Sequence, residues 1–225
     1  AAGIYSVGSK LGACSQLIYT AFAGGWQFFA FSTMKEENQV QSNSRIFEYL
    51  GIISFVATGF ICAWSYLIFK ILFTEQYLTG YIIAPHLFMA PLLQMLFQVA
   101  CNQFLVIKCT WPNMLILLSG AVLNVVLNIV LIPVLGIEGA SIATLLGYAL
   151  SDIVCVIVLC RMELMVISRR FIVATISMVF YMILWRLLFS INVVGGTIIA
   201  ICLLAEMLLL YKSEILLIIR KIKER

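Results

Sequence analysis

Four stretches of this chain, 11–34, 49–69, 76–107 and 109–137, contain no Asp, Glu, Lys or Arg. Each exceeds the roughly 20 apolar residues that carry a helix across the hydrocarbon of a bilayer. In lipid every backbone N–H and C=O must be satisfied internally, which leaves helices and closed barrels as spanning structures. A barrel strand alternates apolar and polar residues over about 10 positions, whereas these runs are continuously apolar. The fold class expected is therefore all-α, a polytopic transmembrane helix bundle. Composition agrees: 64% of the 225 residues are hydrophobic and 11% are charged, against about 25% charged in a soluble domain. The same figures exclude disorder, which needs low hydrophobicity and high net charge.

Seven spanning segments are expected, at about 3–33, 46–73, 78–107, 112–134, 138–160, 170–191 and 193–212. Eleven of the fourteen Lys and Arg residues fall in alternate connections and in the tail: Lys35, Arg45, Lys108, Arg161, Arg169, Arg170, Lys212, Arg220, Lys221, Lys223 and Arg225. The intervening loops 74–77, 135–137 and 192–196 hold none. The positive-inside rule makes the basic side cytoplasmic and puts the C-terminus there. An apolar segment is already under way at Ile4 and must run inward. The chain is therefore expected to be the C-terminal piece of a longer protein. The net charge of +4 is read as this topology signature rather than a nucleic-acid surface. The tail 213–225 is basic with an Ile/Leu stripe; it reads as a topology anchor, or as a segment lying on anionic headgroups.

The seven cysteines show no metal spacing and sit mostly in apolar runs, so neither disulfides nor a metal site are expected. Gly8 and Gly12, and Gly139, Ala143 and Gly147, space small residues by four, which lets helices approach closely in lipid. Pro85 and Pro91 should each bend the third segment. Phosphate loops, nucleophile–base pairs and paired carboxylates are lacking, so an enzyme has little support, and no cofactor is expected.

The stretch LNVVLNIVLIPVLGIEGASIATLLGYAL, from Leu123 to Leu150, carries Asn124, Asn128, Pro133, Gly136, Gly139, Ala140 and Thr144. It resembles the signature of bacterial polysaccharide flippases within the superfamily of multidrug, oligosaccharidyl-lipid and polysaccharide exporters. Gly3-Ile4-Tyr5-Ser6 followed by Lys10-Leu11 resembles the start of the second-half helices there. The resemblance covers residue 3 to about 160. It implies two lobes facing a central cavity that works by alternating access. This chain would then supply the C-terminal lobe (1–160), an additional helix pair (161–212) and the basic tail (213–225). The N-terminal lobe of the same chain and one further helix would be missing. The implied cargo is an undecaprenyl-pyrophosphate-linked oligosaccharide moved across the cytoplasmic (inner) membrane. Polysaccharide polymerase and chain-length machinery stay open as partners.

Intramembrane polar residues are the site candidates, since they are costly unless they face a cavity. Lys10, roughly 10 Å into its segment, is a candidate cation for the carrier diphosphate; its alternatives are an ion pair or an outward snorkel. Asp152, about 13 Å from the cytoplasmic end, is a candidate ion-coupling carboxylate; its alternatives are structural pairing or hydrogen bonding by neighbours such as Tyr148. His86, Gln94, Gln98 and Asn102 recur at multiples of four, and Ser9, Gln16, Thr20 and Gln27 form a second row. Amides donate and accept, which suits sugar hydroxyls; interhelical hydrogen bonds are the alternative, and for His86 alone packing is favoured. Asn124 and Asn128 read as helix–helix contacts. Arg186 and Lys70 lie near segment ends and can snorkel, and Glu206 is ambiguous.

Three rivals stand beside the flippase. A drug/cation antiporter of the same fold would want an acidic, aromatic cavity. A lipid II flippase would want a more cationic one. A membrane glycosyltransferase or polymerase would want a large outer loop.

Overall fold

The computed structural model describes residues 2–32, 38–214 and 216, which form helices joined by short connections, with no strand among them. In chain order come α1 (Ala2–Ser32), α2 (Gln39–Leu72), a 3-10 segment (Glu75–Ile82), α3 (Ala84–Val106), α4 (Trp111–Leu135), α5 (Ile137–Arg161), α6 (Arg169–Leu184) and α7 (Val193–Leu210). One π-helical turn, Trp185–Phe189, extends α6. Helices α2 to α7, with that turn counted in α6, are each long and apolar enough to cross a membrane. This is a multi-pass membrane protein. The first of the seven expected spans differs: α1 has the length, at 31 residues, but is not apolar enough to join the other six.

Most helix limits fall within a residue or two of those expected, and two do not. Helix α2 begins at Gln39, ahead of 46, because its polar first turns find partners on α3. Gln39 Nε2 donates to Gln103 Oε1 at 3.0 Å and Asn43 Nδ2 to the Val99 carbonyl at 3.3 Å. The third span begins at Ala84 rather than 78. Pro85 occupies its first turn, where a missing N–H costs nothing, so it starts the helix and does not bend it. Pro91 alone lies inside.

Helix α3 is the axis of the bundle, with α1, α2 and α5 packed around it. Close approach depends on glycine. A Cβ on Gly12 would lie 2.7 Å from the Leu87 carbonyl oxygen of α3, and one on Gly8 3.2 Å from the Gly80 carbonyl oxygen, so this face of α1 seats on α3 and on the 3-10 segment before it. Gly120 and Gly147 meet where α4 crosses α5; a Cβ on Gly120 would lie 2.1 Å from Ser151 Oγ. Asn124 Nδ2 reaches Thr144 Oγ1 across the same seam at 3.4 Å, and Asn128 Nδ2 donates back to Asn124 Oδ1 at 3.0 Å.

The α6–α7 pair docks on α2. Glu48 ties it down: Oε1 accepts from the Ser168 backbone N–H at 2.6 Å, and Oε2 from Ser168 Oγ at 2.8 Å and Tyr211 OH at 2.9 Å. Residues 217–225, with most of the basic tail, lie outside the described residues, as do Lys35 and the rest of 33–37.

Candidate functional site

Two surfaces on opposite sides of α3 gather the polar residues. The first is a groove of about 730 Å³ between α5 and α6. Helix α5 presents one stripe to it, Glu138, Ile142, Leu145, Ala149, Asp152 and Val156, spaced by three and four as one face of a helix requires. Helix α6 and its π-turn answer with Ile172, Thr175, Val179, Met182 and Arg186. Facing stripes of this kind normally close on one another; here α5 and α6 stand apart. The floor comes from Phe47 and Phe55 of α2 and His86, Met89, Leu93 and Leu96 of α3. Phe171 packs on Phe47 and Phe55, with ring centroids 5.5 and 5.8 Å apart.

Polar groups in this apolar space are few. At the end nearest the α4–α5 turn, Arg186 bonds Glu138 through both Nε and Nη2, the latter at 2.8 Å from Oε2. His86 lies on the floor with Nδ1 3.2 Å from Ser141 Oγ, which itself donates to the Glu138 carbonyl at 2.8 Å. Asp152 lies 14 residues from Glu138 along α5, about 21 Å away. It is 7% exposed, and neither carboxylate oxygen has a hydrogen-bond partner. The hydrogen bond considered from Tyr148 is not made.

The second surface is the outward face of α1. Lys10, Gln16, Thr20 and Gln27 are exposed on it, with Ser9 half-buried beside them, while Gly8, Gly12, Ser15 and Trp26 turn inward to the bundle. Ser9 and Thr20 also bond carbonyls of their own helix. Among the described residues no carboxylate lies within ion-pair distance of Lys10.

The α3 row is not one surface. Steps of four residues overshoot a full turn by about 40°, so over 16 residues the row winds nearly halfway round the helix. His86 therefore faces the groove, while Gln94, Gln98 and Asn102 do not line it. Gln98 Oε1 and Asn102 Nδ2 are buried without partners. Glu206 is held by Ser177 Oγ at 2.5 Å, and Lys70 is exposed at the end of α2. Arg186 pairs with Glu138, a residue that sequence reasoning passed over. The signal was available: both helices carry apolar residues at threes and fours, each stripe ending in one charge of opposite sign.

Among the described residues no group of three His, Cys, Asp or Glu side chains is placed to hold a metal. The chain matches no protein-family model, no curated protein and no solved structure.

Proposed function

We propose that this protein is the C-terminal part of a flippase that moves undecaprenyl-pyrophosphate-linked oligosaccharide across the cytoplasmic membrane by alternating access, for assembly of a surface polysaccharide. One observation carries the reading: α1, packed on α3 by its glycine face, turns Lys10, Gln16, Thr20 and Gln27 away from the bundle. Gln16, Thr20 and Gln27 form one row, with Lys10 about a quarter-turn round the helix and Leu17, Ile18, Phe28 and Phe29 exposed on the same helix; the polar row cannot rest against hydrocarbon at low cost. It suits a hydrated path shared with a second lobe, and its hydroxyl and amides, with the ammonium of Lys10, match sugar and diphosphate chemistry.

In this account the diphosphate-sugar head enters from the cytoplasmic side while the polyprenyl tail remains in lipid. Gln16, Thr20 and Gln27 exchange hydrogen bonds with the sugar as water leaves it. Lys10 holds the diphosphate as a point charge, with further cations supplied by the other lobe. Rocking of the lobes then opens the path outward. The protein carries its cargo and does not convert it, and its C-terminus is cytoplasmic.

Depletion of the full-length protein in its native cell tests this. Lipid-linked oligosaccharide, extracted and assigned to its leaflet, should accumulate as a complete repeat unit on the cytoplasmic face. A Lys10→Ala protein should be as abundant in the membrane as the parent and fail to clear the accumulated carrier. Normal leaflet distribution on depletion would refute the reading.

A further inference from the structure

We propose that the α5–α6 groove binds a glycerophospholipid of the leaflet opposite the basic connections, with one acyl chain lying in the groove and the phosphate resting on Arg186. The site lies across α3 from the α1 face and is independent of what passes along that face.

The groove has the width of a hydrocarbon chain. Its α5 stripe runs from Glu138 to Val156, about 27 Å at the rise of a helix. A volume of about 730 Å³ spread over that length leaves a slot about 6 Å across. A helix with its side chains is about 10–12 Å wide and cannot enter. Carbon atoms in contact lie about 4 Å apart, so the slot takes a single file of methylenes.

Neither closure nor water fills this space. Glu138 and Arg186 bridge the walls at one end and oppose their collapse. Between the ends the walls are aliphatic, with Leu145 and Ala149 facing Val179 and Met182, and a buried water needs polar partners. Left open, both walls forfeit the contacts that a neighbour would give them. The open side, where Ile153, Ile157, Ile176 and Ile183 are exposed, lies between two helices that can each cross a membrane. The bilayer therefore supplies the occupant.

The polar end selects what carries the chain. A guanidinium has five N–H donors, and Glu138 takes one from Nε and one from Nη2 of Arg186. Among the described residues no other acceptor bonds to this side chain, which is partly exposed. Its remaining donors, close to the end of α6, suit a phosphate oxygen at the membrane interface. Glu138 offsets the charge, so the group beyond the phosphate is not selected. An acyl chain covers about half of the hydrocarbon core, which carries it from Arg186 past Met89 and Leu93 on the groove floor.

A photoactivatable lipid makes the test. The purified full-length protein in phosphatidylcholine nanodiscs receives a trace of phosphatidylcholine carrying a diazirine midway along one acyl chain, and adducts are mapped by peptide mass spectrometry. Met89 and Leu93, 4% and 8% exposed, report the inside of the groove, and Val126 and Ile129, exposed on α4, report the ordinary lipid boundary. Adducts are expected at both. Ala149→Trp, which fills the slot, should remove those on the floor and leave those on α4. A diacylglycerol probe with the same chain and no phosphate should label the floor about threefold less than the phosphatidylcholine probe. Arg186→Gln should bring phosphatidylcholine down to the diacylglycerol level. The comparison of the two probes on the unaltered protein decides the matter if either variant does not fold. Absence of floor adducts, their survival in Ala149→Trp, or equal labelling by the two probes overturns the proposal. So does their loss when undecaprenyl phosphate is added in an amount equal to the probe, which would assign the groove to a polyprenyl carrier.

Discussion

Glu138 on α5 and Arg186 on the π-turn of α6 join across the groove, two nitrogens to two oxygens, at the one end where its facing walls touch through charge. Elsewhere, among the described residues, no hydrogen bond or ion pair bridges the two helices. The pair therefore fixes how far the walls stand apart at that end. The π-turn is part of the arrangement, since an extra residue in the turn re-aims the side chains that follow. Arg186 is 38% exposed and Glu138 16%, so solvent discounts their attraction. A double-mutant cycle with Arg186→Gln and Glu138→Gln should give a coupling of about 1–2 kcal/mol, read from thermal unfolding in detergent. Additive single-site effects would show that the pair does not hold the walls.

The opposite end is pinned by Glu48. Its carboxylate takes three hydrogen bonds from Ser168 and Tyr211. Glu48→Ala strands those donors and should lower stability by about 3 kcal/mol, whereas Glu48→Gln should lower it by less. The unfolding temperature of each variant measures this.

A pH dependence accompanies the same contact. Burial pushes the Tyr211 phenol up from its ordinary range, and the hydrogen bond to Glu48 pushes it further. Because the folded value is raised, the stabilisation is complete below the unfolded value near 10 and declines as pH rises above it. Tyr211→Phe should flatten that alkaline decline in an unfolding series from pH 8 to about 11.

The crossing of α4 and α5 tolerates no side chain. A Cβ on Gly120 meets the Gly147 carbonyl oxygen at 2.5 Å, and both groups are backbone or fixed by it. Gly120→Leu should destabilise by about 1–3 kcal/mol or separate the helices, while Gly24→Leu, on an open stretch of α1, should do neither.

The helices were legible in the sequence because hydrocarbon allows no other backbone solution, and uncharged runs mark where the chain lies in it. The Gly8/Gly12 and Gly147 contacts were legible for a related reason: close packing leaves small residues at regular spacing. The groove was not. Its stripes at 138–156 and 172–186 look like ordinary packed faces, and only the tertiary arrangement holds them apart. The α3 row failed on geometry, since a spacing of four drifts round a helix instead of staying on a face. Asp152 stood out as a deep carboxylate, but that no neighbour reaches it needed coordinates.

The central claim is that the polar face of α1 borders water, and thiol accessibility addresses it most directly. Single cysteines at Gln16, Thr20 and Gln27, in a protein whose seven native cysteines are replaced by Ser or Ala, are treated in intact membranes with a charged methanethiosulfonate. A cysteine at Val126, exposed on apolar α4, serves as the lipid-facing control. The account predicts modification at the three α1 positions and protection at Val126. Protection of all four positions would place α1 against lipid or dry protein and contradict a hydrated path along it.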